Sequence, residues 1–362
     1  MIYIAVLGRQ PEISLAELEA LFSGVKKISE KLAIFESDKK PEITRLGGSL
    51  KIAELMAEKP LDYLRKAPEG KITLGVSDYS HKASKKTATI EALKLKKILV
   101  RHGRSVRVTE NKDAALSTAT SLHNGLAGFN DRKFELIKVD DDWYRVIGVQ
   151  DIDAYSRRDQ ARPARDAKVG MLPPKLAQVL INLCGDLPKG SRILDPFCGT
   201  GVVLQEALLM GYKAYGTDIN ERMIEYSDKN MKHFDFKDYE VEEGDATNYA
   251  WKGAIDAVAC EGYLGKPMST IPVDIKLKTE KQECKAIVIG FLKNLISQIK
   301  PGTPVVIAVP AWLREDGKYS RLEILDEIKD MGYNVYNKSR EGLLYHREDQ
   351  IVARDIIILR KD

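Results

Sequence analysis

The run Ile193-Leu194-Asp195-Pro196-Phe197-Cys198-Gly199-Thr200-Gly201 takes an apolar strand into a glycine loop that opens a helix. Gly199 and Gly201 let the backbone pass close to a ligand. A helix N-terminus offers unbonded N–H groups and a positive dipole end to a carboxylate. Asp218 ends the next strand in Tyr215-Gly216-Thr217-Asp218, where a doubly wound fold places the acid that grips a ribose. Asp245 follows the third strand in Glu243-Gly244-Asp245-Ala246, at a place to accept from an adenine amine. A dinucleotide loop of the form G-x-G-x-x-G competes for this reading, but the loop here is G-T-G-V-V-L and lacks the third glycine. A plain strand-to-helix turn is the blander alternative; it leaves acids at three successive strand ends to chance.

Such positions need a scaffold that brings strand ends to one edge. From Pro173 onward the pattern alternates: helix Pro173–Cys184, strand Arg192–Leu194, helix Val202–Met210, strand Lys213–Thr217, helix Glu221–His233 and strand Tyr239–Glu242. Strand Ile255–Cys260, helix Glu280–Ile299, strand Pro304–Val309, a helix near Arg321–Met331 and strands Tyr333–Asn337 and Ile351–Leu359 follow. This predicts an α/β fold with a mostly parallel sheet and helices on both faces. The last two strands have no helix between them and are expected to pair antiparallel at the sheet edge.

The first part reads as α+β. Strand Ile2–Leu7 precedes Ser14-Leu15-Ala16-Glu17, which has the form of a capping box and predicts a helix ending near Gly24. Strand Lys31–Glu36 and a helix from about Ser49 to Glu58 come next, with a boundary marked by Pro60, Pro68 and Gly70. Then come strand Ile72–Ser77, helix Ser84–His102, strand Ser105–Thr109, helix Asp113–Leu126, and strands Lys133–Val139 and Tyr144–Val149. Ala88, Ala92, Leu95 and Leu99 form the apolar face of the helix from Ser84. Residues 151–170 are polar, charged and weakly periodic, and read as a linker.

The chain has 362 residues and a net charge of +4, unevenly spread: residues 1–165 carry +7 and residues 166–362 carry −3. Nine Lys and Arg against the single acid Glu91 occupy residues 81–107. That distribution suggests a binding module attached to a different machine. Lys82, Lys85, Lys86, Lys97, Arg101, Arg104 and Arg107 are candidate phosphate contacts, although a charge run is also the ordinary make-up of a solvated helix face. Arg157, Arg158, Arg162 and Arg165 either clamp phosphates near the site, with Arg162 and Arg165 the candidates, or pair with Asp151, Asp153, Asp159 and Asp166. Cys184, Cys198, Cys260 and Cys284 contain no C-x-x-C and argue against a disulfide scaffold or structural zinc. Cys198 and Cys260, at strand ends, read as packing residues rather than nucleophiles, and the five histidines show no ligand spacing. No apolar run reaches the roughly 18 residues of a membrane span, and Met1–Ser14 lacks the features of a signal peptide. A cytoplasmic, metal-free monomer is the expectation.

The D-P-F-C-G-T-G loop with Asp218 and Asp245 resembles the S-adenosylmethionine loop of Rossmann-like methyltransferases. The wider chain resembles the THUMP-domain tRNA guanine-N2 methyltransferases. The resemblance runs from I-Y-I-A-V-L-G-R-Q-P-E-I-S-L-A-E-L-E-A-L, through S-V-R-V, the Leu116–Leu126 stretch, and Gln150-Asp151-Ile152-Asp153-Ala154-Tyr155-Ser156-Arg157-Arg158-Asp159. It continues through Arg162-Pro163, Gly170-Met171-Leu172-Pro173-Pro174-Lys175-Leu176-Ala177, the glycine loop, and the closing Tyr345, Arg347 and Arg354. It implies a ferredoxin-like subdomain at 1–66, a THUMP-like RNA-binding domain at 67–150, a linker at 151–170, and a catalytic domain with a seven-stranded sheet at 171–362. It implies S-adenosylmethionine held by Asp195, Phe197, Gly199, Gly201, Asp218, Ile219, Asp245 and Ala246. It also implies tRNA as partner and methylation of the exocyclic N2 of a guanosine, with position ten the best-known target.

One departure stands out. Amino methyltransferases end the fourth strand with (D/N)-P-P-(Y/F); here Glu261-Gly262-Tyr263-Leu264 occupies those positions. Glu261 falls on the acid position that accepts from the target amine, Gly262 on the first proline, and Tyr263 or Leu264 on the aromatic position that stacks on the base, with Tyr263 the candidate. Active amino methylation, activity on another base or on DNA, and an inactive RNA-binding protein all remain open at this point.

Overall fold

The computed structural model describes residues 1–165, 172–336, 343–348 and 350–362. Two compact units divide the chain, Met1–Ala154 and Tyr155–Asp362.

The first unit is built on one continuous sheet of eight strands: β1 (Ile2–Leu7), β2 (Ser23–Ser29), β3 (Leu32–Glu36), β4 (Ser49–Leu55), β5 (Ile72–Asp78), β6 (Val106–Val108), β7 (Lys133–Val139) and β8 (Asp142–Val149). Their order is β2-β3-β1-β4-β8-β7-β5-β6. Helices α1 (Pro11–Leu21), α2 (Pro60–Arg65), α3 (Lys85–Arg101) and α4 (Thr118–His123) connect them.

Ser14 and Glu17 do not cap a helix. Pro11 starts α1 a turn earlier, as proline favours the first helical position. Ser14 Oγ instead donates to the Gly48 carbonyl at 2.6 Å, and Glu17 accepts from the Gly47 and Gly48 N–H groups at 2.9 Å each. The pair pins the turn into β4.

The stretch from Ser49, expected as a helix, is β4, paired antiparallel with both β1 and β8. Most of it is buried, including Lys51, so the alternation that marks a half-exposed strand is missing. Lys51 Nζ reaches Glu135 at 2.5 Å, with the Leu116 carbonyl and Ser121 Oγ each at 2.8 Å. The helix expected from Asp113 starts only at Thr118, where the Ser117 hydroxyl accepts from Thr120 N–H. Helix α3 has the expected boundaries: Ser84 and Thr87 form a reciprocal cap, and Ala88, Ala92, Leu95 and Leu99 are its buried residues.

The second unit contains β9 (Arg192–Asp195), β10 (Lys213–Asp218), β11 (Tyr239–Glu243), β12 (Ala257–Glu261), β13 (Pro304–Leu313), β14 (Tyr319–Arg321), β15 (Tyr333–Val335), β16 (Leu344–Tyr345) and β17 (Val352–Lys361). The main path is β11-β10-β9-β12-β13-β17-β15, and β14 and β16 add short pairings to β13 and β17. β11 through β13 are parallel, while β17 runs antiparallel to both β13 and β15. The seven strands of the path are the expected α/β sheet with its antiparallel edge.

Residues 152–160, inside the expected linker, form helix α5 (Ile152–Gln160). Tyr155 on α5 hydrogen-bonds Gln178, and the Ala164 backbone is held by Asn230. Residues 166–170 of that linker and the Gly170-Met171 part of the resemblance lie outside the described residues. The remaining helices are α6 (Pro174–Asn182), α7 (Val202–Leu209), α8 (Glu221–His233), α9 (Asp274–Ile296) and α10 (Leu325–Asp330). The core packs Phe291, Leu292, Trp312, Val305 and Ile357, all fully buried. Strand order reverses between β9 and β12, and the carboxyl ends of strands at such a point are where open α/β sheets bind ligands.

Candidate active site

One cavity of about 1020 Å³ opens over those strand ends. Its wall includes Asp195, Phe197, Gly199, Asp218, Ile219, Asp245, Ala246, Glu261 and Tyr263. Every cofactor and catalytic residue expected from the sequence lies on it except Gly201, which caps the start of α7.

Asp195 ends β9, is 2% exposed, and accepts the Phe197 N–H at 3.1 Å. Burial, with Asp218 and Glu261 nearby, raises its carboxyl well above the ordinary 3.8. Asp218 ends β10, and burial raises it as well. Its two oxygens accept from Gly199 N–H at 2.9 Å and Asn220 N–H at 3.0 Å. Ile219, beside it, is 69% exposed at the cavity wall, an apolar surface against which a flat base can lie. Asp245 holds its own turn by accepting from Thr247 N–H and Oγ1.

The glycine loop has the geometry its residues require. Gly199 and Gly201 have φ of +51° and +82°, in the left-handed region that favours glycine. A Cβ on Gly201 would stand 2.6 Å from Ser227 Oγ. Phe197 packs edge-on against Phe291, with ring centroids 5.3 Å apart.

Residues outside the motif hold this loop. Asn230 Nδ2 donates to the carbonyls of Thr200 and Ala164, both at 2.9 Å. Arg162 donates to Thr200 Oγ1 at 3.1 Å. Arg162 is 3% exposed, so it braces the glycine loop instead of presenting its charge to RNA phosphates; the phosphate role expected for it is corrected. Half-buried Arg158 and fully buried Glu206 stand 3.3 Å apart, and burial lifts Glu206 to about 7. Arg165 is exposed. In the first unit Lys82, Lys85, Lys86, Lys97, Arg101 and Arg107 are exposed. Arg104 is half-exposed, and its guanidinium donates to the carbonyls of Ala67 and Pro68, at 2.8 and 2.6 Å.

Glu261 closes β12. Gly262 continues the ladder, its N–H donating to the Ala308 carbonyl at 2.9 Å. A proline there would have no hydrogen to give, so the departure from the double-proline pattern has a local structural basis. Tyr263 is half-buried against the core, and burial raises its hydroxyl. Glu261 Oε1 accepts from Arg354 Nε. Arg354 is 4% exposed on β17, and its charge inside a strand otherwise rich in isoleucine is the signal that marks it in sequence. Cys198 and Cys260 are fully buried, and burial with Asp195 nearby holds their thiols well above the ordinary range. They pack as small apolar groups. No histidine lines the cavity.

Known proteins match this architecture. A methyltransferase domain model matches residues 187–338, and a DNA methylase model matches residues 25–229. A tRNA (guanine(10)-N2)-dimethyltransferase of Methanothermobacter thermautotrophicus is 34% identical over 43% of this chain and 44% of its own length. That match therefore spans under half of the relative. A tRNA (guanine(10)-N2)-dimethyltransferase of Pyrococcus abyssi is 30% identical over 76% of this chain and 81% of its own length. The chain belongs to the tRNA (guanine(10)-N2)-dimethyltransferase family. The crystal structure of TrmN from Thermus thermophilus is similar over all of both chains at 16% identity and a TM-score of 0.48.

Membership in the family makes S-adenosylmethionine the cofactor, and the cavity residues fit it. The buried carboxylate of Asp195 suits a cationic amino-acid moiety. Asp218 suits ribose hydroxyls. Ile219 and Ala246 offer apolar faces to an adenine, and Asp245 an acceptor to its amine. At about 1020 Å³ the cavity reaches the upper end of the roughly 300–1,000 Å³ of ordinary small-molecule sites, which leaves room for a base beside the cofactor.

Proposed function

We propose that this chain transfers methyl groups from S-adenosylmethionine to the exocyclic N2 of a guanosine in tRNA, position ten being the target and two methyls the product. The observation that carries the reading is Glu261 at the end of β12: its Oε1 is held by Arg354 while Oε2 has no hydrogen-bond partner among the described residues, on the same cavity wall as Asp195. The N2 lone pair of guanine is delocalised into the ring. A carboxylate accepting an N2 hydrogen holds the nitrogen with its lone pair free to attack, and takes up positive charge as the proton is released. When bound, S-adenosylmethionine supplies the electrophilic methyl. Tyr263 lines the cavity where it stacks on the extracted base. Much of the rate then comes from positioning.

The exposed Lys82, Lys85, Lys86, Lys97, Arg101, Arg107 and Arg165 contact tRNA phosphates in this reading, with residues 1–66 as a ferredoxin-like part and 67–150 as a THUMP-like part. No described helix is long and apolar enough to cross a membrane. A cytoplasmic monomer is the simplest setting for such an enzyme. The DNA methylase match over residues 25–229 favours a second reading, amino methylation of DNA. Incubation with labelled cofactor and either unmodified tRNA or duplex DNA separates the two: label in tRNA alone supports the proposal, and label in DNA alone replaces it.

A further inference from the structure

Arg354 does more than hold Glu261. It is 96% buried yet lines the cavity. Its guanidinium makes two hydrogen bonds, Nε to Glu261 Oε1 and Nη1 to Gln350 Oε1 at 3.4 Å. Nη2 has no hydrogen-bond partner among the described residues. A buried guanidinium is costly unless its donors are used, and the carboxylate beside it also keeps one oxygen free. Because Arg354 bonds Oε1, the linked pair runs in the order Oε2, Oε1, guanidinium: acceptor, acceptor, donor.

That order complements one base. The Watson–Crick edge of guanine reads N2 amine, N1–H, O6: donor, donor, acceptor. Adenine and cytosine each follow their amine with a bare ring nitrogen, which would face Oε1 lone pair to lone pair. Uracil has no amine. We propose that Glu261 and Arg354 together select guanine, Oε2 accepting from N2–H, Oε1 from N1–H, and Arg354 donating to O6. Arg354 is then a specificity-determining residue. The pairing also accounts for glutamate in place of the shorter acid, since the guanidinium fixes the extra methylene in one arrangement. The next residue, Asp355, is fully buried and held by Arg321 at 3.1 Å, so the strand segment carrying Arg354 is anchored.

The inference rests on the N2-guanosine reading, and the test separates the two. The full chain is given tRNA carrying either guanosine or 2-aminopurine riboside at the target position. 2-Aminopurine keeps the N2 amine but lacks N1–H and O6. Wild type is expected to lose about 10- to 100-fold in kcat/KM on 2-aminopurine, the span of one or two hydrogen bonds to charged groups. Arg354→Met is expected to lose a similar factor on guanosine and far less on 2-aminopurine, with unchanged affinity for S-adenosylhomocysteine. Arg354→Lys, which keeps a charged donor, is expected to recover part of the guanosine rate. Equal loss on both bases in Arg354→Met means that Arg354 only orients Glu261, and overturns the inference. Equal wild-type rates on both bases overturn it without any variant. Absence of transfer to guanosine in wild type overturns the N2 reading and the inference with it.

Discussion

Asp195 carries a carboxylate that burial opposes and a cation would favour. Its raised value means that the folded, ligand-free protein binds this proton more tightly than the unfolded chain does. The stability this contributes is present below the ordinary 3.8 and is lost as pH rises through the raised folded value. Asp218 acts in the same direction. A ligand ammonium placed near Asp195 offsets that loss, so the increase in melting temperature given by S-adenosylhomocysteine should grow as pH rises through the raised folded value. Thermal scans of wild type and Asp195→Asn check this: the pH dependence should shrink in the variant. At this scale the sequence was most legible where one residue type has few alternatives, as with the paired glycines and the acids after β9, β10, β11 and β12. It was least legible where a side chain acts through another. Nothing in the spacing of Arg162 or Asn230 says that both reach Thr200, because those contacts join segments separated by 38 and 30 positions.

Elements were readable when one face stays wet. Helix α3 announced itself through a period of 3.6 and a Ser84 cap, and the parallel strands through short apolar runs between helices. β4 was not readable, because pairing on both sides buries it and because its buried Lys51 reads as surface. Ser14 and Glu17 misled for a related reason: their spacing suits a cap, but Pro11 had already begun the helix and freed them to bind the Gly47–Gly48 turn. The Lys51–Glu135 pair gives this element a measurable signature. Side-chain exposures of 2% and 0% leave Glu135 with hydroxyl partners alone once the lysine is removed. Lys51→Met should therefore cost about 3–5 kcal/mol in denaturant unfolding. Lys51→Met combined with Glu135→Gln should cost markedly less, and equal costs would show that the charge pairing is not what matters.

At the scale of the whole molecule, the net charge of +4 conceals a basic first part and a mildly acidic second part. The distribution has a function if the exposed cations of the first unit hold RNA. Lys97→Glu combined with Arg101→Glu should weaken tRNA binding and flatten its salt dependence, while affinity for S-adenosylhomocysteine stays unchanged. Filter binding across a salt series and calorimetry check the two halves of that statement. The second unit was legible as an architecture because alternating helices and strands admit few arrangements, and its strand-order reversal put the expected residues at one cavity. Nucleoside mass spectrometry of unmodified tRNA after incubation with S-adenosylmethionine reads out the chemistry at that cavity. N2-methylated guanosine is expected, first with one methyl and then two, with wild type, and loss of about 100-fold or more in rate with Glu261→Gln, which cannot take up the developing charge. A methyl found on another base or a ring carbon, or full activity in Glu261→Gln, would contradict the proposed transfer.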